Sequence, residues 1–197
     1  MKTTTLVLII IAGLVLIVGG CGCNRYNSLV TGDQQVQQSW SNVETNYQRR
    51  TDLYNSVIKT IEGSANFEKS TLTAVIDARS KATSVSVNIN DPASLAKYQA
   101  AQGQLQSAFG RLMAVAEAYP DLKTTTAFQN FQTQIEGTEN RINVARRDYN
   151  AAVNSFNLSV RTFPSNIFAG MFGFKEKPYY QADAGTDKAP DINFNIK

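Results

Sequence analysis

The chain has 197 residues, 43% of them apolar, with 19 basic against 16 acidic side chains, which is one domain's worth of sequence and enough to bury a core. A net charge of +3 spread along the chain argues against a nucleic-acid partner, and 12 Gly with 5 Pro are too few for a linker or a collagen-like protein. The absence of His removes the commonest general base and metal ligand. No catalytic, cofactor or metal constellation is readable, and an enzyme is not expected.

Residues 6–18 read LVLIIIAGLVLIV, and residues 3–22 carry no charge. About 20 helical residues cross the roughly 30 Å hydrocarbon core of a bilayer, so residues 1–25 form a membrane anchor. One form of that anchor is an N-terminal transmembrane helix. The other is a secretory signal with a basic start at Lys2 and VGGC at residues 18–21, which resembles a bacterial lipobox in which Cys21 would be lipidated after cleavage. As plain helix residues, Cys21 and Cys23 are simply small and apolar. Lys2 before the span against Arg25 after it leans towards an N-terminus inside. In either form the chain is tied to a membrane.

From Val36 apolar residues recur at Trp40, Val43, Tyr47, Tyr54, Val57 and Ile61, a 4,3 alternation interrupted by Arg50. That spacing predicts a helix burying one stripe, with Asp33 as its N-cap and Trp40 in the core. Gly63 offers a stop, and a second helix carries Leu72, Val75, Ile76 and Ala82 up to NIND before Pro92. The register also passes unbroken through Gly63 by way of Ala65 and Glu68 to Leu72, which leaves open one long helix and a count of three. Asp91 and Pro92 cap and open the next helix, with a seam of Leu95, Tyr98, Gln102, Leu105, Phe109, Leu112, Ala116 and Tyr119. Thr124 to Thr126 cap a last helix, whose register of Phe128, Phe131, Ile135, Thr138, Ile142, Ala145, Tyr149, Ala152, Phe156 and Phe163 is nearly unbroken.

Four amphipathic segments with short connections pack best as an antiparallel four-helix bundle, and the fold class is all-α. Beyond Pro164, SNIFAGMFGFKEKPYYQ has no helical period and reads as a strap on the bundle, with an exposed aromatic patch for a partner or lipid as the alternative. Residues 26–183 make the bundle domain and residues 184–197 a loosely ordered tail. Arg50, Glu68, Arg79 and Gln102 fall in seam positions. A buried charge needs a partner, so Glu68 is expected at least partly buried, bridging to Arg50 or Arg79 in a polar layer. Arg141, Arg146 and Arg147 read as a solvated face near Glu139 and Asp148.

YNSLV after the anchor, SWSNVETNYQRRTDL, TLTAVIDAR, AYPDLKTTTAFQNFQ, IEGTENRINVARRDYNAAVNSFN and FPSNIFAGMFGFK together resemble the LemA family of bacterial proteins. The sequence departs from the family pattern in having LYNSVI where a LIPNLV stretch stands, and Phe67 where a His precedes the Glu. The resemblance implies an N-terminal transmembrane helix, a four-helix bundle and no established biochemical activity. It also implies a short N-terminus outside, opposite to the charge count. An anchor joined to a bundle points to an interaction or scaffold protein of the cell envelope, with another envelope protein as partner. A bundle that binds lipid or an apolar small molecule is the alternative, and a hydrolase the remotest reading.

Overall fold

The structure, a computed structural model, describes residues 3–62, 68–120 and 125–181, with backbone only at residues 3–10, 14–19 and 21. Five helices are defined among the described residues: α1 (Thr3–Glu62), α2 (Lys69–Ser84), α3 (Pro92–Ala116), α4 (Thr126–Arg161) and α5 (Ser165–Phe172). No strand occurs among them, so the chain is all-α. The tail at residues 184–197 and the side chains of most of the apolar run, Cys21 included, lie outside the described residues. Among the described residues no helix is long and apolar enough to cross a membrane.

α1 is continuous through Asp33, so the expected N-cap there does not exist. No proline separates the apolar run from the stripe that starts at Leu29, and the helix continues through the weak helix formers between them. At its other end, the reading of one unbroken helix from α1 into α2 is corrected: α1 is described as far as Glu62, Gly63 itself lies outside the described residues, and Glu68 is extended (φ −66°, ψ 112°) before α2 begins. α3 starts as its sequence predicts, the Asp91 carboxylate accepting from the Ala93 N–H at 3.0 Å with Pro92 in the first turn. The Thr125 hydroxyl accepts from the Phe128 N–H at 3.3 Å and caps α4.

The chain divides into two compact units, Met1–Gln48 with Asn140–Tyr179, and Arg49–Glu139 with Tyr180–Lys197. The second is a four-helix bundle of the end of α1, α2, α3 and the start of α4. Its core is Tyr54, Val57, Ile58 and Ile61 of α1, Leu72, Val75 and Ala82 of α2, Leu105, Phe109 and Leu112 of α3, and Phe128 of α4. The rings of Tyr54 and Phe109 stack at 3.6 Å. Ile76, expected in the seam, is exposed, because α2 turns only a narrow stripe inward.

The first unit pairs the earlier part of α1 with the later part of α4. They run antiparallel: Trp40 meets Tyr149 edge to face at 5.3 Å, while Tyr47 takes the Arg146 guanidinium. Gly32 brings α1 close to α4, since a Cβ there would stand 3.2 Å from Phe156 Cδ2. Leu29, Val36, Trp40, Val43, Tyr47, Ile142, Tyr149, Val153 and Phe156 are all buried. Phe163 is 81% exposed, because α4 ends at Arg161 and the register no longer applies two residues later.

Trp40 is buried against Tyr149. Trp40→Ala is expected to cost about 3–5 kcal/mol through the cavity it leaves. Denaturant titration followed by far-ultraviolet circular dichroism checks this, and a change under about 1 kcal/mol would contradict the packing described.

Candidate functional site

Arg50 is among the largest fully buried side chains of the described residues, 1% exposed on the apolar stripe of α1. A guanidinium there must be hydrogen-bonded or the fold loses several kcal/mol. Its Nη2 donates to the side-chain Oε1 of Gln102 at 2.6 Å and to the Gln102 carbonyl at 3.2 Å. Its Nη1 reaches Glu139 Oε1 at 3.4 Å, where the Tyr54 hydroxyl also donates at 3.4 Å. The guanidinium carbon lies 5.7 Å from the centre of the Tyr54 ring. At 3.4 Å the carboxylate contact is long for a charge-assisted bond. The Gln102 amide is therefore the close partner and Glu139, a quarter exposed, the distant counter-charge.

Glu68 has no place in this layer. It is exposed beside the start of α2 and accepts from the Ser70 hydroxyl at 2.5 Å. The break in the helix at Glu68 takes the position out of the α1 register, which is the physical reason that the expected bridge to Arg50 does not form. Arg79 is half-buried on α2. Of the seam polar residues only Arg50 and Gln102 meet. Glu139, one residue after the buried Thr138, reads from sequence as part of a solvated face, and only its proximity to the stripe hinted otherwise.

In the first unit the segment after α5 is fastened by polar groups that periodicity does not mark. Lys177 is buried, and its ammonium pairs with Asp33 Oδ1 at 2.6 Å and lies 5.4 Å from the Phe156 ring centre. The Lys177 N–H donates to Asn157 Oδ1 at 2.8 Å, and Asn157 Nδ2 returns a bond to the Lys177 carbonyl at 2.9 Å. The Tyr149 hydroxyl donates to the Pro178 carbonyl at 3.1 Å, and burial pushes its pKa up to about 12. Asp33, read as a cap, is thus the counter-ion of a buried lysine. Arg141 and Arg147 are exposed, but Arg146 is half-buried and donates to the Tyr47 hydroxyl while lying over its ring.

Two open surfaces flank these features within the first unit. A groove of about 350 Å³ between α1 and α4 is lined by polar residues such as Asn42, Asn46, Asn140, Arg141 and Asp148 together with the apolar Val144 and Ala145. An apolar cleft of about 510 Å³ lies between α1 and α5, where Tyr26, Phe168, Met171 and Phe172 gather around Gly22 and the free thiol of Cys23. Among the described residues no group of three or more His, Cys, Asp or Glu is placed to hold a metal ion. What the geometry offers is surface: amides and charges in one place, aromatic and thioether groups in the other.

A model of the LemA family matches residues 39–194. Magnetosome protein MamQ 2 of Paramagnetospirillum magneticum is 30% identical over 184 residues, covering 83% of this chain and 67% of the relative. Protein LemA of Metamycoplasma hominis is 29% identical over 158 residues, covering 80% of this chain and 69% of the relative. Magnetosome protein MamQ of Magnetospirillum gryphiswaldense is 27% identical over 184 residues, covering 83% and 67%.

Arg50→Ala should cost about 1–3 kcal/mol because it strands the Gln102 amide, whereas Glu139→Gln should cost under about 1 kcal/mol at that distance and exposure. Double-mutant cycles by chemical denaturation should give coupling above about 1 kcal/mol for Arg50 with Gln102, and below about 0.5 for Arg50 with Glu68. The raised pKa of Tyr149 carries a pH signature. The folded chain holds the phenolic proton more tightly than the unfolded one, so this contribution to stability is complete below the unfolded value of 10.0 and is lost as pH climbs towards about 12. In Tyr149→Phe the pH dependence of the midpoint over that window should flatten.

Proposed function

Because the chain belongs to the LemA family, we propose that it acts as a membrane-tethered helical interaction module of the bacterial cell envelope, holding another envelope protein at the membrane. The observation that supports this most directly is α1. One helix, Thr3–Glu62, carries the uncharged run of residues 3–22 at its start and the buried stripe from Leu29 to Ile61 along the rest. A tether without an intervening flexible linker holds the helical surface in a fixed orientation to the bilayer, as a scaffold requires.

The groove around Asn46, Asn140, Arg141 and Asp148 suits a folded protein partner. Amide groups there can exchange hydrogen bonds, and the two opposite charges select for charge complementarity. A second reading, binding of an apolar ligand, draws on the cleft lined by Tyr26, Phe168, Met171 and Phe172.

Cross-linking in detergent followed by pull-down of the full chain should recover one envelope protein at constant stoichiometry. Arg141→Glu should reduce the yield severalfold with helix content unchanged, since Arg141 is exposed and outside the core. Equal capture by the variant would move the partner away from this groove. The tether is tested separately: the full chain should stay with membranes through an alkaline carbonate wash, and recovery in the soluble fraction would overturn it.

A further inference from the structure

The segment between Arg161 and Lys175 carries no charge, and it holds α5. A surface helix of a globular protein turns large apolar residues inward and small or polar ones outward. α5 does the reverse. Ser165 and Ala169 are its buried residues, whereas Ile167, Met171 and Phe172 are 56%, 67% and 48% exposed, and Phe163 just before it is more exposed still. The helix is held in this orientation by its ends and its contacts. Gly173, at φ 76°, closes it, and the Phe174 N–H donates to the Ala169 carbonyl at 2.9 Å. Phe172 meets Tyr26 edge to face at 4.8 Å, and Phe168 lies so near Gly22 that a Cβ there would stand 3.0 Å from its ring.

Those α1 contacts set the position of the patch. Gly22 lies near the end of the uncharged run, which closes at Arg25, and Tyr26 stands about 6 Å further along the helix axis than Gly22. The polar zones of a bilayer add roughly 5–8 Å on each side of the hydrocarbon. Building on the tether reading, we infer that α5 is a second membrane contact: an inverted amphipathic helix seated in the headgroup and acyl-chain boundary of the leaflet from which α1 emerges, with lipid filling the cleft beside Tyr26. The chemistry fits lipid better than a protein. Phe, Met and Ile in a charge-free stretch match the acyl boundary, while Arg25, one residue before Tyr26, and Lys175, three residues after Phe172, are exposed cations suited to anionic headgroups.

The test uses the full chain in vesicles of phosphatidylethanolamine and phosphatidylglycerol with acyl chains brominated near the headgroup. A second tryptophan is introduced as Phe172→Trp or Ile167→Trp, with Val144→Trp as the control. All three positions are exposed, so the fold tolerates the change, and Val144 lies near the level of Tyr47 on α1, far from Gly22. The added emission at positions 167 and 172 should shift to shorter wavelength and be mostly lost to bromine, while that at 144 should be unaffected. Quenching at 167 and 172 no greater than at 144, in protein that floats with the vesicles, overturns the inference and leaves the tether standing. Protein that fails to float shows instead that the tether itself is wrong. A short-wavelength shift without quenching, together with cross-linking of position 172 to its own copy, replaces the lipid with a second chain and also overturns the inference.

Discussion

The structure depends on α1 remaining helical from Thr3 to Glu62. That continuity is not favoured by local propensity, because Gly19, Gly20 and Gly22 each cost about 1 kcal/mol relative to Ala. It is favoured by what packs on the helix. Leu29, Val36 and Val43 are buried, Trp40 and Tyr47 meet α4, Tyr54 to Ile61 face the core of the bundle unit, and Gly22 and Tyr26 face α5. The missing Cβ at Gly22, unfavourable for the helix alone, is what allows Phe168 to approach. A side chain there would require the Phe168 ring to give way by a few tenths of an ångström.

Within the bundle unit the same stripe is interrupted by a cation. Arg50 sits where the 4,3 spacing demands an apolar side chain, and its nearest partner is the amide of Gln102 rather than a carboxylate. An amide costs much less to bury than a carboxylate, so this arrangement avoids taking a full ion pair out of water, and partly solvated Glu139 supplies the balancing charge from the edge. Because the donors of Arg50 reach α3 and α4 together, the layer ties the register of α1 to both. A shift of one helical turn in any of the three would leave a buried group unsatisfied.

In the other unit, order is imposed by polar groups on a segment with no regular repeat. Lys177, Asn157, Asp33 and Tyr149 hold residues 177 and 178 through four contacts, and this fastening fixes the end of α5 as well. An apolar helix whose large side chains face water would normally rearrange to bury them. Here the clamp on one side and Gly22 and Tyr26 on the other oppose that rotation.

The sequence by itself determined the helical class, the capped start of α3 at Asp91 and Pro92, the buried faces of α1, α3 and α4, and family membership through long ordered motifs. Each of these is a local property, readable because a stripe at 3.6-residue spacing or a cap one residue before proline reports its own geometry. Tertiary structure alone decided that Asp33 pairs with Lys177 instead of capping a helix, that Arg50 takes Gln102 and Glu139 instead of Glu68, and that Phe163 leaves the register at the end of α4. It also decided that SNIFAGMF forms a helix with its small residues inward. Two turns are too few for a period to show, and periodicity says which face of a helix is apolar without saying what meets it. Partners far apart in sequence are set by where the elements come together in space, and one break in register, such as that at Glu68, reassigns every pairing that depended on it.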